Sequence, residues 1–261
     1  MNSPLNYMGG KSRLVPTIVP IIHSTPHDCY CEPFGGAAWI LFGKDRDISK
    51  AEVMNDADGE LVRFFRILQN HLLYFIDCYR HAIVSRQIYE WERKKDPETL
   101  TDLQRAARYY YLQRLAFGGK VKGRNFGYGT KGRPRLDVDG ISEQLTEVHR
   151  RLHDVVIECL DGMDCIRRYD RPGTLFFVDP PYCESAGYEV EFPIGRYAEL
   201  AETLKGIKGK FVLTINNHPH IKEVFKEFRC REVATKYTVA RDKGRGAVKE
   251  LLYSNFDWRN K

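Results

Sequence analysis

The stretch Leu175-Phe176-Phe177-Val178-Asp179-Pro180-Pro181-Tyr182 constrains this chain more than any other. Its unbroken apolar run, bounded by Gly173 and a proline pair, reads as a parallel strand buried on both faces. Proline donates no ladder hydrogen bond and restricts the residue before it, so the strand stops at Pro180. Asp179 then sits at the carboxyl edge of a central sheet, where open α/β folds bind their ligands. The prolines keep the next backbone extended, and Tyr182 offers a flat ring beside the carboxylate. A fixed acceptor next to an aromatic face suits a planar base that carries an amino group. A strand stop followed by a surface tyrosine is the plainer reading of the same residues.

The 261 residues suffice for one large α/β domain with an inserted subdomain. A hydrophobic content of 43% with 12% aromatics excludes a disordered chain. The net charge of +6 permits a polyanionic partner without demanding one. No apolar run reaches membrane-spanning length and no signal-peptide pattern opens the chain, which predicts a cytoplasmic protein. The seven cysteines are scattered, and none of them shows zinc-ligand spacing, so they read as reduced filler. Cys183, beside Tyr182, has no base near it in the sequence. His218 and His220 lack a third ligand at metal spacing and read as polar filler; no metal site is expected.

Ahead of the central strand, the order of elements suits a cofactor. Tyr7-Met8-Gly9-Gly10-Lys11 sets a glycine pair between an aromatic and a lysine, which lets backbone approach a ligand closely. Gly10-Lys11-Ser12 resembles the end of a phosphate-binding loop, but Leu5 stands where that loop needs glycine and no strand precedes it. Cys29 to Phe34 reads as the first core strand, feeding Gly35-Gly36-Ala37-Ala38 and a helix start at Trp39 to Phe42. Lys50 to Met54 is the second strand. Asp56, at its tip, suits two vicinal ribose hydroxyls, because a carboxylate has two acceptor oxygens. Asp58 is left to cap the following helix. Apolar periodicity predicts that helix over 61–79 and others over 102–117, 142–152 and 197–207. Further strands fall at 155–159 and 210–215, and a closing hairpin at 228–239 and 248–256 is joined through 241–246.

Between the helices the composition changes. Gly118 to Arg135 holds Lys120, Lys122, Arg124, Lys131, Arg133 and Arg135 with no acid, interleaved with Asn125, Phe126 and Tyr128. Basic side chains on a glycine-rich loop suit phosphate contact at its ends and base probing toward its middle. A solvated surface loop has the same composition.

Asp179-Pro180-Pro181-Tyr182 resembles the catalytic motif of the Dam-type (D12 class) S-adenosylmethionine-dependent DNA adenine methyltransferases. The resemblance extends over nearly the whole chain, with cofactor motifs, a recognition segment and the catalytic motif in the family's order. It implies a Rossmann-like mixed sheet with helices on both faces and an inserted DNA-recognition region. Residues 1–60 and 154–261 would form the cofactor-binding and catalytic parts of one domain, and residues 61–153 the recognition region. It implies that Asp179 and the Pro180 carbonyl hold the target amino group, and that Tyr182 stacks on an adenine flipped out of the helix. Tyr7, Gly9, Gly10 and Lys11, with Glu32, Phe34 and Gly36 of a Glu-Pro-Phe-x-Gly-x-Gly-like loop, would line the S-adenosylmethionine pocket. Asp56 matches the ribose-binding acid, Asp161 is chosen for the cofactor adenine with Asp164 equally placed, and Asp179 adds a secondary cofactor contact. Ala38 stands where the loop's last glycine belongs, which is tolerable if its φ is negative. Lys120, Lys122, Arg124, Asn125, Phe126, Tyr128, Arg133 and Arg135 would meet double-stranded DNA. A bacterial or phage origin, a restriction-endonuclease partner and a monomer or weak dimer complete the expectation. The alternatives are a cytosine-amino or RNA methyltransferase and a catalytically decayed DNA-binding module.

Overall fold

The computed structural model describes residues 1–7, 10–127, 135–183, 192–235 and 248–258. Strands β1 (Cys29–Glu32), β2 (Ala51–Asn55), β3 (Val155–Glu158), β4 (Thr174–Val178), β5 (Lys210–Asn216), β6 (Arg229–Thr235) and β7 (Val248–Ser254) form one sheet in the order β3-β2-β1-β4-β5-β7-β6. Neighbours from β3 through β5 are parallel, whereas β7 runs antiparallel to both β5 and β6. The chain order reverses its sense between β1 and β4, so their carboxyl ends open a crevice at the switch point. Glu32 ends β1 and Asp179 follows β4, both at that crevice.

The helices are α1 (Val15–Ser24), α2 (Trp39–Gly43), α3 (Gly59–Asn70), α4 (Leu72–Asp77), α5 (Arg86–Lys94), α6 (Asp102–Leu115), α7 (Ile141–Leu152), α8 (Gly162–Tyr169), α9 (Gly195–Lys205) and α10 (Pro219–Val224). They cover both faces of the sheet. Leu175 and Phe177 of β4 join a core with Ile18, Leu41, Phe65 and Tyr110, while Phe176 and Val178 join a second core with Met163, Ile166, Leu200 and Ile221. Side chains alternate across a strand, so the apolar run of β4 serves both cores, as expected of a strand buried on both faces. Beneath the first core Glu52 of β2 takes two bonds from the Arg151 guanidinium, at 2.5 and 2.7 Å, and one from Lys44 at 2.5 Å. This buried cluster fastens α7 and the end of α2 to the sheet.

Some expected elements fall differently. The helix predicted over 61–79 breaks at His71, whose backbone leaves the helical region at φ −132° and ψ 34°. The break keeps the stripe on the core: Leu68, Leu72 and Phe75 are all buried on either side of it. Helix α5 is amphipathic but mostly polar, and Tyr89 alone of its residues is buried. The closing hairpin is present as β6 and β7, but its connection over 241–246 lies outside the described residues.

Candidate active site

Asp179 emerges from β4 into a set of fixed donors. The Lys11 ammonium lies 2.9 Å from its Oδ1, and the Thr214 hydroxyl donates to the same oxygen at 2.8 Å. Burial pushes the Asp179 carboxyl up to about 6, against the lowering pull of Lys11 and the Thr214 bond. Lys11 is itself buried, and its ammonium stands 4.1 Å from the centroid of the Tyr182 ring. One cation thus spans the acceptor and the aromatic face that the sequence set side by side.

The tetrapeptide is gripped from outside as well. The Tyr197 hydroxyl of α9 donates to the Pro181 carbonyl at 2.8 Å. The Tyr182 hydroxyl donates to Glu250 Oε2 at 2.6 Å, and Asn216 pairs with both main-chain groups of Cys183 at 3.0 Å. Cys183 has a base near it after all: His218 Nδ1 is 3.7 Å from its Sγ, brought across 35 positions of sequence. His218 also caps α10 by accepting from the His220 amide at 3.3 Å.

A cavity of about 350 Å³ opens beside Asp179. Tyr7, Gly10, Lys11, Glu32, Phe34, Gly36, Asp56, Asp161 and Asp179 all line it, as does Pro181. Gly9 lies outside the described residues. Asp56 Oδ2 accepts from the Gly36 amide at 2.8 Å and Oδ1 from the Asp58 amide at 2.9 Å, which pins its carboxylate against the glycine loop. Burial raises Asp56 to about 6 in spite of these bonds. Asp58 caps α3, accepting from Glu60 and Leu61, as its position predicted. Glu32 at the floor accepts from the Tyr30 hydroxyl at 2.7 Å, and burial pushes its carboxyl up to about 8. The structure separates the two loop acids: Asp161 faces the cavity, caps α8 and pairs with Arg196, whereas Asp164 is turned outward to Arg167.

Four walls of the cavity escaped the sequence. Trp39 and Phe177 flank it, and Phe192 and Arg196 close it from the α9 side. The Phe34 and Phe192 rings meet edge to face at 5.8 Å. Gly162 leaves room for Phe34, since a Cβ there would come within 2.2 Å of that ring. Gly36 has φ +49°, and a Cβ on it would meet nothing nearer than Tyr7 at 3.8 Å, so that it would stand in the cavity. Ala38 departs from expectation. Its φ is +53° and ψ 38°, a left-handed conformation that glycine adopts freely and alanine only at a cost.

The basic segment divides. Lys122, Asn125 and Arg135 are exposed and Lys120 is half-buried. Arg124 turns inward, donating from Nε to Gln113 Oε1 at 3.0 Å with its guanidinium 4.9 Å from the Tyr109 centroid. Phe126 packs edge to face on Tyr89 at 5.4 Å under the Arg86 guanidinium. The sequence grouped both with residues reaching toward a groove; here they fasten the segment to α5 and α6. Tyr128 and Arg133 lie outside the described residues. Arg135 and Arg114 flank a wide recess that shares Tyr7, Gly10 and Trp39 with the main cavity.

A switch-point crevice with carboxylates at two strand tips, aromatic walls and an open glycine backbone is the arrangement in which α/β enzymes bind nucleoside-bearing ligands. The chain matches the D12 class of N6 adenine-specific DNA methyltransferases over residues 7–239, and it belongs to that family. DNA is its substrate and S-adenosylmethionine its methyl donor. It is 25% identical over 273 aligned residues to the Type II methyltransferase M1.LlaDCHI of Lactococcus lactis subsp. cremoris, covering 96% of this chain and 94% of that one. Solved structures resemble it more distantly. SMU.472, crystallised with SAH, shares 13% identity at a TM-score of 0.39, over 94% of this chain and 52% of that one. A SAM-dependent methyltransferase from Agrobacterium tumefaciens shares 11% at 0.43, over 95% and 62%.

Proposed function

We propose that Asp179, the Pro180 carbonyl and Tyr182 form the methyl-transfer centre, and that the lined cavity beside them takes S-adenosylmethionine. The observation that carries this is the shared position of Lys11 between the Asp179 carboxylate and the Tyr182 ring. A cationic donor held there marks a place where an amino group can donate to Asp179 while its ring lies on Tyr182. The exocyclic nitrogen of adenine is a weak nucleophile because its lone pair is delocalised into the ring. Asp179 and the Pro180 carbonyl accept from its two N–H groups and so favour a pyramidal nitrogen. Stacking on Tyr182 contributes about 1–3 kcal/mol to holding the extruded base.

S-adenosylmethionine supplies an electrophilic methyl group on a sulfonium when bound. For its binding we assign the ribose hydroxyls to Asp56, the adenine to Asp161 and the Phe34 and Phe192 rings, and the methionine end to the Gly36 backbone, Glu32 and the Tyr7 to Lys11 segment. The open backbone at Gly36, the acids and the aromatic pair all fit such a group. The DNA backbone is assigned to Lys120, Lys122 and Arg135, with Asn125 toward the bases. Residues 61–153 then act as the recognition region of a single α/β domain. Among the described residues no helix is long and apolar enough to cross a membrane, and we place the protein in the cytoplasm of a bacterium or a phage-infected cell. Likeness to a Type II methyltransferase supports a restriction-endonuclease counterpart, and we take the enzyme to act as a monomer or weak dimer. Incubating DNA with the enzyme and labelled cofactor, then separating the nucleosides, tests this reading. Label in N6-methyl-2′-deoxyadenosine supports it. Label in a methylated cytosine, or none, contradicts it.

A further inference from the structure

We infer that Asn216 and Glu250, facing each other across β5 and β7, are positioning residues that set the plane of the Tyr182 ring. The inference rests on the reading of Tyr182 as the platform for the target base. The two residues are register partners in the antiparallel pair, so their side chains leave the same face of the sheet at one rung. They grip successive residues of the catalytic segment. Asn216 Oδ1 accepts from the Cys183 amide and Nδ2 donates to the Cys183 carbonyl, both at 3.0 Å, which fixes the main chain one residue beyond the ring. Glu250 Oε2 accepts from the Tyr182 hydroxyl at 2.6 Å, which fixes the far end of the ring itself.

A mechanical need explains this arrangement. The prolines fix the backbone up to Pro181, but they leave the two side-chain torsions of Tyr182 undetermined. A stacking platform that swings by tens of degrees carries the base's amino group away from Asp179, and misplacements near 1 Å cost about a hundredfold in rate. Holding the main chain at Cys183 and the phenol oxygen at Glu250 defines the ring at both ends. Thr214, two residues before Asn216 on β5, sends its hydroxyl from the same face to Asp179 Oδ1. One face of the β5 and β7 ends therefore orients the acceptor and the platform together. Glu250 is 1% exposed, and burying a carboxyl is costly unless it is tied into specific bonds. A sheet stabilised for packing alone would carry an apolar residue there.

A kinetic cycle tests the inference, using methylation of a duplex holding the recognised sequence and fluorescence of the same duplex with 2-aminopurine at the target position. Tyr182→Phe removes the hydroxyl and leaves the sheet untouched; it is expected to lower kcat about tenfold with the KM for cofactor unchanged. At a pH well above the acid limb of Asp179, whose carboxyl the Glu250 charge also raises, Glu250→Leu is expected to match it, and the double variant to be no slower than either single one, since both delete the same bond. Glu250→Gln keeps an acceptor and should recover most of the rate. Asn216→Ala should lower kcat with the cofactor KM again unchanged. In each slowed variant the 2-aminopurine signal should change, because the base is less firmly stacked. A Tyr182→Phe variant with the wild-type rate and signal overturns the inference, even if Glu250→Leu fails to fold. So do additive losses in the double variant, or a Glu250→Leu protein that loses only thermal stability. A Tyr182→Ala variant that keeps the full rate overturns the platform reading itself. A Tyr182→Ala loss combined with an indifferent Glu250→Leu overturns the positioning role alone.

Discussion

The Lys11 ammonium and the Asp179 carboxylate stand 2.9 Å apart at the mouth of the crevice, with the Tyr182 ring under the same ammonium. The Lys11 charge sets the chemistry of Asp179. Lys11 lowers a carboxyl that burial has raised, leaving Asp179 near 6. As acceptor for an amine, Asp179 is strongest when ionised, because protonation turns one of its oxygens into a donor. The rate of methyl transfer should therefore fall as the pH drops through about 6. Lys11→Met takes away the lowering charge, so the same acid limb should move to higher pH. A pH series of single-turnover rates for the two proteins measures this; a limb that stays in place in the variant would separate Asp179 from the rate.

Asp56 and Asp58 sit two residues apart and should fail in different ways. Asp56→Ala removes a carboxylate from the cavity and should weaken S-adenosylmethionine binding by about 1.5–3 kcal/mol, the range for hydrogen bonds to a charged acceptor. Asp58→Ala removes the cap of α3 and should lower stability by about 1 kcal/mol with cofactor affinity little changed. Calorimetric titration and thermal melts on both variants check the division. An Asp56 variant that binds cofactor like wild type would return that residue to a purely structural role.

Ala38 should tolerate glycine with almost no change in stability. Relief of the left-handed alanine is worth about 1–2 kcal/mol. Loss of the buried methyl costs about 0.8 kcal/mol, and the freer unfolded chain costs about 0.5–1 kcal/mol. The terms nearly cancel, so the melting temperature should shift by no more than about 3 °C. Ala38→Val places a branched side chain at positive φ and should lower it by more than that.

In the basic segment the structure redraws which changes affect specificity. Lys122→Ala or Arg135→Ala should weaken binding to all DNA sequences alike and reduce the salt slope by about one unit for each phosphate left without its cation. Asn125→Ala should cost about 1–3 kcal/mol at the preferred site and little elsewhere. Arg124→Ala and Phe126→Ala release the segment from Gln113 and Tyr89, so they should weaken every duplex and lower thermal stability as well. Binding of matched and mismatched duplexes across a salt series separates these outcomes. Selective loss with Phe126→Ala and unchanged melting would put its ring at the bases.

Local patterns were readable where one segment carries its own geometry. The apolar run closed by prolines placed Asp179 at a strand end without help from the rest of the chain. Asp58 announced itself as a cap because the amides of Glu60 and Leu61 follow it directly. What stayed hidden comes from distant segments. Glu250 reaches Tyr182 across 68 positions and Asn216 reaches Cys183 across 33. Arg196 and Phe192 become cavity walls only when α9 packs beside α8, and no periodicity encodes that. Phe126 looked like an exposed aromatic in a polar loop; its packing partner, Tyr89, lies on α5, well upstream in the chain.

The central claim is that Asp179 holds the amine that is methylated, and one pair of measurements on Asp179→Ala tests it most directly. Calorimetry follows cofactor binding, and single-turnover assays with labelled S-adenosylmethionine follow transfer to DNA. The variant should bind cofactor with only a modest loss, because Asp179 lines the cavity at its edge, while transfer to adenine falls by about three orders of magnitude or more. Substantial N6-methyladenine formation by the variant would contradict the claim.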